Sequence, residues 1–436
     1  MHAPYTGVRF MMRPNGRAFK DERVTIMAFG LTKKELSWVL YDVGNSAFVM
    51  LSTALIPVYF ASIADPGSSV VVAWGYAETV ASLVLALLMP VLGSLADLAG
   101  NKKKFLVGFA GTGAVACAAL GVPEHALAFL VVYVIAAIML NGSMVFYDAF
   151  LVDATTEERY DKVSSHGYAW GYIGSCIPFI ACLAGVLGGS SFGIDAKLGM
   201  KIAFIITAAW WVVFTVPVAK NVKQLHGKKR SDHVLRTTIS GLKGTVKSIM
   251  KDKRLLFFML AFFFYIDGVH TVIKMSTSYG TDLGIDSTQL VLALLVTQFV
   301  AFPSAIAYGN LAKRFGTKRM LKVGVLAYFF IVLFAAFFLK SAVEFWILAI
   351  CVGLFQGGIQ ALSRSEYGKL IPKERANEYY GFFDIFGKYA AVMGTFLVSA
   401  FTQLTGSSSL GVLSIALLFI VGFLFLRAMP PMLGDS

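Results

Sequence analysis

The stretch Gly93–Phe105, GSLADLAGNKKKF, decides the fold because a second copy of it occurs in the other half of the chain. The second copy, Gly309–Leu321, reads GNLAKRFGTKRML and begins 216 residues later, since 309 − 93 is 216. Both copies are basic, carry two glycines at the same spacing and separate two long apolar runs. The same offset relates Gly142 to Gly358. Two related halves that each carry such a turn between apolar segments are typical of secondary transporters.

The composition is that of a membrane protein. Of 436 residues, 57% are hydrophobic and only 14% are charged, whereas soluble domains carry about 25% charged residues. The net charge of +13 needs no nucleic-acid partner, because Lys197, Lys201 and Lys340 lie in loops of one side and almost every other loop cation lies on the opposite side. This asymmetry follows the positive-inside rule. We therefore predict a multi-pass membrane protein that does not bind nucleic acid.

Twelve apolar segments are long enough to span a bilayer, for which a helix needs about 20 residues. An even count with basic loops on the starting side places both termini in the cytoplasm. Six helices, a basic linker and six more helices form the major facilitator architecture, so the predicted fold is all-α with two pseudo-symmetric six-helix bundles. The spans are predicted to begin near Leu36, Val70, Phe105, Ala126, Ser165, Lys201, Leu255, Thr288, Met320, Val343, Tyr379 and Ser409. The predicted units are an N-terminal tail (1–33), a bundle (34–220), a linker (221–253), a second bundle (254–428) and a C-terminal tail (429–436).

The linker carries its own helical pattern. Between Val234 and Met250, apolar residues recur at intervals of three and four. This spacing predicts an amphipathic helix that lies on the inner membrane surface. The residues of the stripe are Leu235, Ile239, Leu242, Val246 and Ile249.

The soluble-enzyme motifs in the chain lack their structural context. Residues 189–193 fit the G-x-S-x-G pattern but lie in a short outer loop with no strand before it. Residues 381–388 resemble a phosphate-binding loop, but the spacing is one residue too long and the stretch lies inside a span. All four cysteines lie in apolar runs, which argues against disulfides and a metal site. We therefore predict no enzyme activity, no catalytic residue, no metal and no cofactor.

The first span carries a polar face. Asp42, Asn45, Val49 and Ser52 recur at helical spacing on an otherwise apolar helix, next to Tyr41. A charge inside the bilayer costs several kcal/mol, about 2.5–3.5 on insertion scales, so it needs a reason. We predict that this face lines a central cavity; the alternative is that Asp42 is an N-terminal helix charge near the cytoplasmic mouth.

Spans four and ten are repeat mates that carry opposite charges. Asp148 and Arg364 lie 216 residues apart, since 364 − 148 is 216. Gln356, Gln360 and Arg364 recur every four residues, and span four adds Asn141. An arginine can hold a carboxylate through two parallel hydrogen bonds, which makes Arg364 a candidate for an anionic substrate group. The alternative is an ion pair between the two halves that closes the cytoplasmic gate, and one residue can serve both roles in different conformations.

Spans seven and eleven carry candidates for proton transfer. Asp267 and His270 share a helix face near mid-membrane with Lys274, and both are natural proton carriers. Asp384 and Lys388 are an i, i+4 pair that either neutralise each other or line a vestibule. The alternative for Asp267 and His270 is a self-satisfied polar group at a helix kink.

The repeated basic turn is predicted to form a cytoplasmic gate. Glycines permit tight turns and close helix approach. Asp97 can hydrogen-bond a neighbouring helix terminus or an arginine, and Lys102 with the next two lysines can face anionic headgroups. Lys313 replaces Asp97 in the second copy, so the two gates cannot use the same charge contact. The gate residues are Gly93, Asp97, Gly100, Lys102, Gly309, Lys313, Gly316 and Lys318.

Two longer stretches resemble a known family. Residues 38–48, WVLYDVGNSAF, are similar to the opening-span signature of the vacuole-effluxer-like branch of the major facilitator superfamily, which includes fungal autophagy-linked vacuolar amino-acid exporters. Residues 360–365, QALSRS, with LIPK at 370–373 and YGFF at 380–383, are similar to its signature for spans ten and eleven. The resemblance implies a bacterial inner-membrane exporter of small solutes, with neutral amino acids as the family precedent. The positions that match the motifs are Asp42, Asn45, Arg364, Gly381 and Lys388.

These features together predict a monomeric secondary transporter that works by alternating access and is coupled to protons or another ion. A carboxylate of the substrate is assigned to Arg364 or Lys388, and the proton to Asp42, Asp148 or Asp267. The rival predictions are an importer or flippase of a larger amphipathic molecule, and a receptor or scaffold that does not transport. The residues assigned to polar groups of the substrate are Tyr41, Asn45, Asn141, Gln356 and Gln360.

Overall fold

Helices make up nearly all of the chain that the computed structural model describes, which is residues 28–64, 70–188, 195–228 and 234–431. Outside these ranges lie most of the predicted N-terminal tail, the G-x-S-x-G stretch at 189–193 and most of the C-terminal tail. The helices of the first half are α1 (Lys33–Ala54), α2 (Ile56–Ile63), α3 (Val70–Ala96), α4 (Lys102–Ala119), α5 (Ala126–Ala149), α6 (Leu151–Ala154), α7 (Tyr160–Gly188) and α8 (Ala196–Asn221). Those that follow are α9 (Val234–Lys251), α10 (Lys253–Asp282), α11 (Ser287–Phe315), α12 (Thr317–Phe338), α13 (Ala342–Leu370), α14 (Ala376–Thr405) and α15 (Ser408–Ala428).

The spans form two six-helix bundles, as predicted. Within the described ranges, nine helices are long and apolar enough to cross a membrane, and α1 with α2 adds one span bent by 45° at Leu55. α4, which opens with three lysines, and α14, which carries Glu378 and Asp384, are less apolar but pack inside the bundles, α4 on α5 and α8 and α14 on α10 and α15. The sequence predicts a first span that begins near Leu36 but does not predict this bend.

The repeat in the sequence is a repeat in the fold. α5 begins at Ala126 and α13 at Ala342, and 342 − 126 is again 216. α7 begins at Tyr160 and α14 at Ala376, with the same difference, 376 − 160. The halves meet mainly where α3 packs on α14 and where α7 packs on α11 and α13. These contacts position the site described below.

Local sequence explains where several helices begin. Thr32 accepts a hydrogen bond from the Glu35 backbone while the Glu35 side chain bonds the Thr32 backbone, which is a capping box at the start of α1. Asp195 and Ser341 are the N-caps of α8 and α13, and the side chain of each accepts one hydrogen bond from a backbone N–H of the first turn. Each cap satisfies a backbone donor that the first helical turn leaves free.

Both ends of the described chain lie at one end of the bundles, where the α3–α4 and α11–α12 turns also lie; we call this end the basic face. The Gly30 carbonyl accepts hydrogen bonds from Arg159 and Lys162. The Met429 carbonyl accepts one from Lys318, beside the α11–α12 turn. An even number of spans between the two ends accounts for this placement.

The linker returns to the basic face before it enters α9. Lys228 exchanges backbone hydrogen bonds with the α3–α4 turn, donating to the Asp97 carbonyl at 2.8 Å and accepting from Ala99 at 3.1 Å. α9 packs on α3 and α10, and Ile249 is buried there. The expectation that Ile249 faces the membrane is therefore wrong, whereas Val246 on the same stripe is 43% exposed. The side chains of Leu235 and Ile239 lie outside the described residues.

Candidate functional site

Arg364 of α13 joins the two halves of the molecule. Its Nε donates to the Ser164 hydroxyl at 2.9 Å and one terminal nitrogen donates to the Ser164 carbonyl at 3.0 Å. The other terminal nitrogen lies 2.9 Å from Asp148 and 3.5 Å from Asp42. All three partners belong to the first half, and the arginine side chain is only 1% exposed. Arg364 therefore belongs to the second half, but its buried guanidinium is bound by residues of the first half.

Aromatic rings of the first half enclose the guanidinium. The Arg364 carbon lies 4.7 Å from the centre of the Trp38 ring, 5.3 Å from Tyr147 and 4.3 Å from Tyr168. The Tyr147 hydroxyl also donates to Asp42 at 3.1 Å. These rings exclude water and add cation–π attraction, so the ion pairs are strengthened by a low dielectric. We call Asp42, Asp148, Ser164 and Arg364 with these rings the bridged floor.

A cavity of about 640 Å³ lies between the halves, further from the basic face than the bridged floor. On the first half it is lined by the far part of α1, by α3 and by α5. Its lining on the second half comes from α10 and α14. Its lining includes the polar residues Ser52, Glu78, Asn141, Lys274, Asp384 and Thr395. Its volume lies within the range of small-molecule sites, about 300–1,000 Å³.

The predicted substrate residues are divided between this cavity and the closed region around the bridged floor. Asn141 lines the cavity, and its amide donates to the Ala137 carbonyl at 2.8 Å. Tyr41 is buried and donates to Ser143 at 2.6 Å. Asn45 is buried and donates to the Tyr41 carbonyl at 3.0 Å.

The two glutamines of α13 also differ in position. Gln360 is half-buried and donates to the Tyr172 hydroxyl at 3.2 Å, across the interface between the halves. Gln356 is buried and lines a separate, mainly apolar cavity of about 70 Å³ inside the second bundle, and its Nε2 has no hydrogen-bond partner among the described residues. The side chain of Lys388 lies outside the described residues. The roles assigned to all of these residues stay predictions.

The predicted proton carriers do not form one cluster. Asp42 and Asp148 belong to the bridged floor, and Asp384 lines the cavity with Lys274. Asp267 is buried where α10 meets α14, and one of its oxygens accepts from the Gly394 backbone at 2.9 Å. His270 is half-buried one turn further along α10.

On the basic face, the first contact between the halves joins α3 to α14. Asp97 is 1% exposed and accepts hydrogen bonds from the backbone N–H groups of Asn377 at 2.9 Å and Glu378 at 3.0 Å. It therefore caps the N-terminus of a helix in the other half. Lys228 and Thr245 of the linker and Arg375 bond to the buried Glu378 beside it. Burial raises the pKa of Asp97 to about 6, although the neighbouring Lys102 and Lys228 lower it.

The second contact on the basic face joins α7 to α13. Asp161 accepts from Lys369 at 2.8 Å, from Ser365 at 2.5 Å and from Thr317 at 2.8 Å. In this contact the carboxylate of the first half, Asp161, lies at the start of α7. The repeat mate of Asp97 is Lys313 at the end of α11, and that lysine is exposed. The α7–α13 contact, which includes Ser164 and Arg364, contains two side-chain cations of the second half, Arg364 and Lys369. In the α3–α14 contact, Asp97 accepts instead from two backbone N–H groups and from the side-chain amide of Asn377.

The repeated glycines permit the close approach of α3 to α14 and of α11 to α7. A Cβ on Gly93 would lie 2.6 Å from the Asn377 carbonyl oxygen, and one on Gly309 would lie 2.6 Å from the Ser165 hydroxyl. Gly100 and Gly316 have φ angles of +83° and +89°, which side chains rarely adopt.

The lysines of the repeated turn differ from one another. Lys102 is fully buried and pairs with Asp153 at 2.6 Å, so the expectation that it faces headgroups is wrong. Its repeat mate Lys318 is half-buried. A buried carboxylate nearby, rather than the lipid, compensates Lys102 because the α4 N-terminus packs against the end of α5.

Several residues at these sites were not predicted. Glu78 is the only acidic residue in α3, so the cost of a charge inside an apolar run was the signal that could have found it. Asp161, Ser164 and Glu378 stand at helix starts, where polar residues are expected in any protein, and gave no such signal.

Comparison with known proteins places the chain among transporters. The model of a family described as vacuole effluxer Atg22 like matches residues 67–432. An MFS-type transporter of Bacillus subtilis, YxiO, is 45% identical over 408 residues, which are 92% of this chain and 95% of YxiO. Autophagy-related protein 22 of Cryptococcus neoformans is 26% identical over 60% of this chain. The match covers 48% of the fungal protein, so the chain spans about half of that relative's length.

Among solved structures, the fucose transporter FucP in the outward conformation is similar in fold. It gives a TM-score of 0.70 at 14% identity and covers 92% of this chain and 99% of its own. At this identity the likeness shows the fold alone.

Proposed function

Since the chain belongs to the Atg22-like vacuole effluxer family and is a multi-pass membrane transporter of the major facilitator superfamily, we propose that it exports a small polar solute by alternating access coupled to protons. The solute is an amino acid or a related metabolite. The functional unit is one chain in the inner membrane of a bacterium, with both termini in the cytoplasm. Transport, not catalysis, is its activity.

The observation that carries this proposal is the bridged floor beneath the cavity. The polar contacts between the halves at Asp97, Asp161 and Arg364 lie toward the basic face, while the cavity lies beyond them. By the positive-inside rule the basic face is cytoplasmic, so this arrangement is an outward-facing state. Opening toward the cytoplasm requires Arg364 to leave the first half.

That movement gives a physical reason for proton coupling. When Arg364 withdraws, Asp42 and Asp148 lose their cation inside the protein, and an uncompensated buried charge costs about 3–5 kcal/mol. Uptake of a proton by one of them removes much of this cost. Arg364, once released, becomes free to hold a substrate carboxylate in the inward-facing state. Asp267, held by the α14 backbone, is the second candidate for the proton.

The cavity favours a small solute over a larger amphipathic one. Polar residues occur on both walls, with Glu78 and Asn141 on the first half and Lys274 and Asp384 on the second. An importer or flippase of a lipid or cell-wall fragment needs a long apolar wall instead.

The test is export from proteoliposomes loaded with a radiolabelled mixture of amino acids. We expect a pH gradient to drive release, and we expect Asp42→Asn and Asp267→Asn to lose the dependence on the gradient. Glu124→Gln, in the exposed α4–α5 loop, is the matched control and keeps it. Release that ignores the gradient and is unchanged in both aspartate variants contradicts proton coupling, and no release of any amino acid contradicts the choice of substrate.

A further inference from the structure

Glu78 is an acid of the cavity wall to which the transport cycle proposed above assigns no role. It is exposed and lines the cavity on α3. The rest of α3 has no acidic residue, so the chain places one carboxylate in an otherwise apolar helix at the level of the cavity. Such a charge is costly within a membrane unless it has a partner or a function.

The carboxylate of Glu78 is fixed in place by aromatic residues. The Tyr133 hydroxyl donates to Oε1 of Glu78, and Tyr133 itself is buried. Trp74, one helical turn before Glu78, packs on Tyr133 with ring centres 4.3 Å apart. Both rings line the same cavity. The oxygen Oε1 therefore has a defined orientation before any ligand arrives.

The second oxygen of this carboxylate is available. In the described part of the chain, Oε2 of Glu78 has neither a hydrogen-bond donor nor a cation. An exposed carboxylate oxygen attracts an ammonium group through a charge-assisted hydrogen bond, and an aromatic ring that lines the same cavity can add cation–π attraction.

The opposite wall of the cavity supplies the complementary charge. Lys274 of α10 is exposed and lines the cavity with Asp384. A solute whose ammonium lies at Glu78 can thus direct a carboxylate toward the second half. A ligand held this way contacts both halves at once.

We infer that Glu78, Tyr133 and Trp74 form the subsite that binds an aliphatic ammonium group of the solute. This inference rests on the proposed function for its link to transport, but the binding site itself can be tested alone.

The test is thermal stabilisation of the purified full-length protein by three isosteric probes at low ionic strength. Norleucine carries both charged groups, pentylamine keeps only the ammonium and hexanoate keeps only the carboxylate. We expect norleucine and pentylamine to stabilise the protein and hexanoate to have no effect at the same concentration. In Glu78→Gln both active probes should bind about tenfold more weakly, and in Tyr133→Phe about threefold more weakly, because the carboxylate loses its fixed orientation.

Glu124→Gln removes an exposed acid outside the cavity and should bind all three probes as the unmodified protein does. Equal binding of pentylamine to the unmodified protein and Glu78→Gln overturns the inference. So does binding of hexanoate as strong as that of norleucine, or a site that sodium ions fill and amines do not. If the probes behave as expected but no amino acid is transported in proteoliposomes, the subsite stands and the proposed function fails. If transport occurs and ignores Glu78→Gln, the proposed function stands and the subsite fails.

Discussion

The two contacts on the basic face do the same mechanical task with different chemistry. In the α3–α14 contact, Asp97 accepts hydrogen bonds from the first backbone N–H groups of a helix in the other half. In the α7–α13 contact, Lys369 binds the carboxylate of Asp161 and Arg364 donates to Ser164, while Arg364 also pairs with Asp148 of α5. Gly93 at the α3–α14 interface and Gly309 at the α7–α11 interface are repeat mates, whereas the carboxylates Asp97 and Asp161 are not. Backbone shape has thus been kept between the halves, while the charges that stabilise closure have diverged.

The largest expected effect is in the α7–α13 contact. Arg364→Gln leaves Asp42 and Asp148 without a cation, so we expect the free energy of unfolding to fall by about 3–5 kcal/mol. Lys369→Gln removes a cation from the same contact, but Asp161 keeps Ser365 and Thr317 as donors, so a loss of about 1 kcal/mol is expected. Denaturant unfolding of both variants in detergent, followed by tryptophan fluorescence, measures the difference. Equal losses would contradict the assignment of Arg364 as the main bridge.

The next effect compares the two carboxylates. Asp97→Ala leaves the N–H groups of Asn377 and Glu378 buried without an acceptor, and each such group costs about 1–3 kcal/mol. Asp161→Ala exposes its partners more readily to water, because the Asp161 side chain is 14% exposed and that of Asp97 is 1%. We expect the Asp97 variant to open the basic face more often. The distance between spin labels on the α3–α4 and α14 ends reports it, and a larger shift in the Asp161 variant would reverse the ranking.

The glycines give a smaller and sharper comparison. In Gly93→Ala the new methyl group meets a backbone carbonyl, which cannot move alone, whereas in Gly309→Ala it meets the side chain of Ser165. Overpacking costs about 1–3 kcal/mol, and we expect Gly93→Ala to lie at the upper end and Gly309→Ala at the lower. Gly108→Ala, with no atom within 4 Å of the new Cβ, is the control and should be neutral. A thermal-unfolding series of the three variants decides the order.

The smallest expected effect is a pH dependence confined to the α3–α14 contact. Burial raises the pKa of Asp97 from 3.8 to about 6 when the contact is closed, and opening exposes it to water. The closed state thus binds the proton more tightly, so a fall in pH from about 7 to 4 favours closure. We expect the spin-label distance between the α3–α4 and α14 ends to change with pH in the unmodified protein. In Asp97→Asn the increase in the closed population between about pH 7 and pH 4 should be absent. A closed population that grows as the pH rises would contradict it.

The sequence carried the plan of the molecule but little of its contacts. Apolar run length predicted twelve spans, and the 216-residue offset predicted two matching bundles, because both depend on local patterns that survive in any packing. The placement of Arg364 opposite Asp148 was within reach for the same reason, as repeat mates at the same depth. The burial of Lys102 and Ile249 could not be predicted in this way, because Lys102 pairs with Asp153 and α9 packs on α3, and these partners are distant in sequence.

What the sequence by itself determined is therefore the topology, the membrane setting and the shared geometry of the two glycine turns. Only the tertiary structure decided which partner each charge has: a helix terminus 280 residues away for Asp97, carboxylates of the first half for Arg364, and the Tyr133 hydroxyl for Glu78. The physical reason is that helix formation and membrane insertion follow from neighbouring residues, whereas charge compensation inside a protein depends on which surfaces the packed helices bring together.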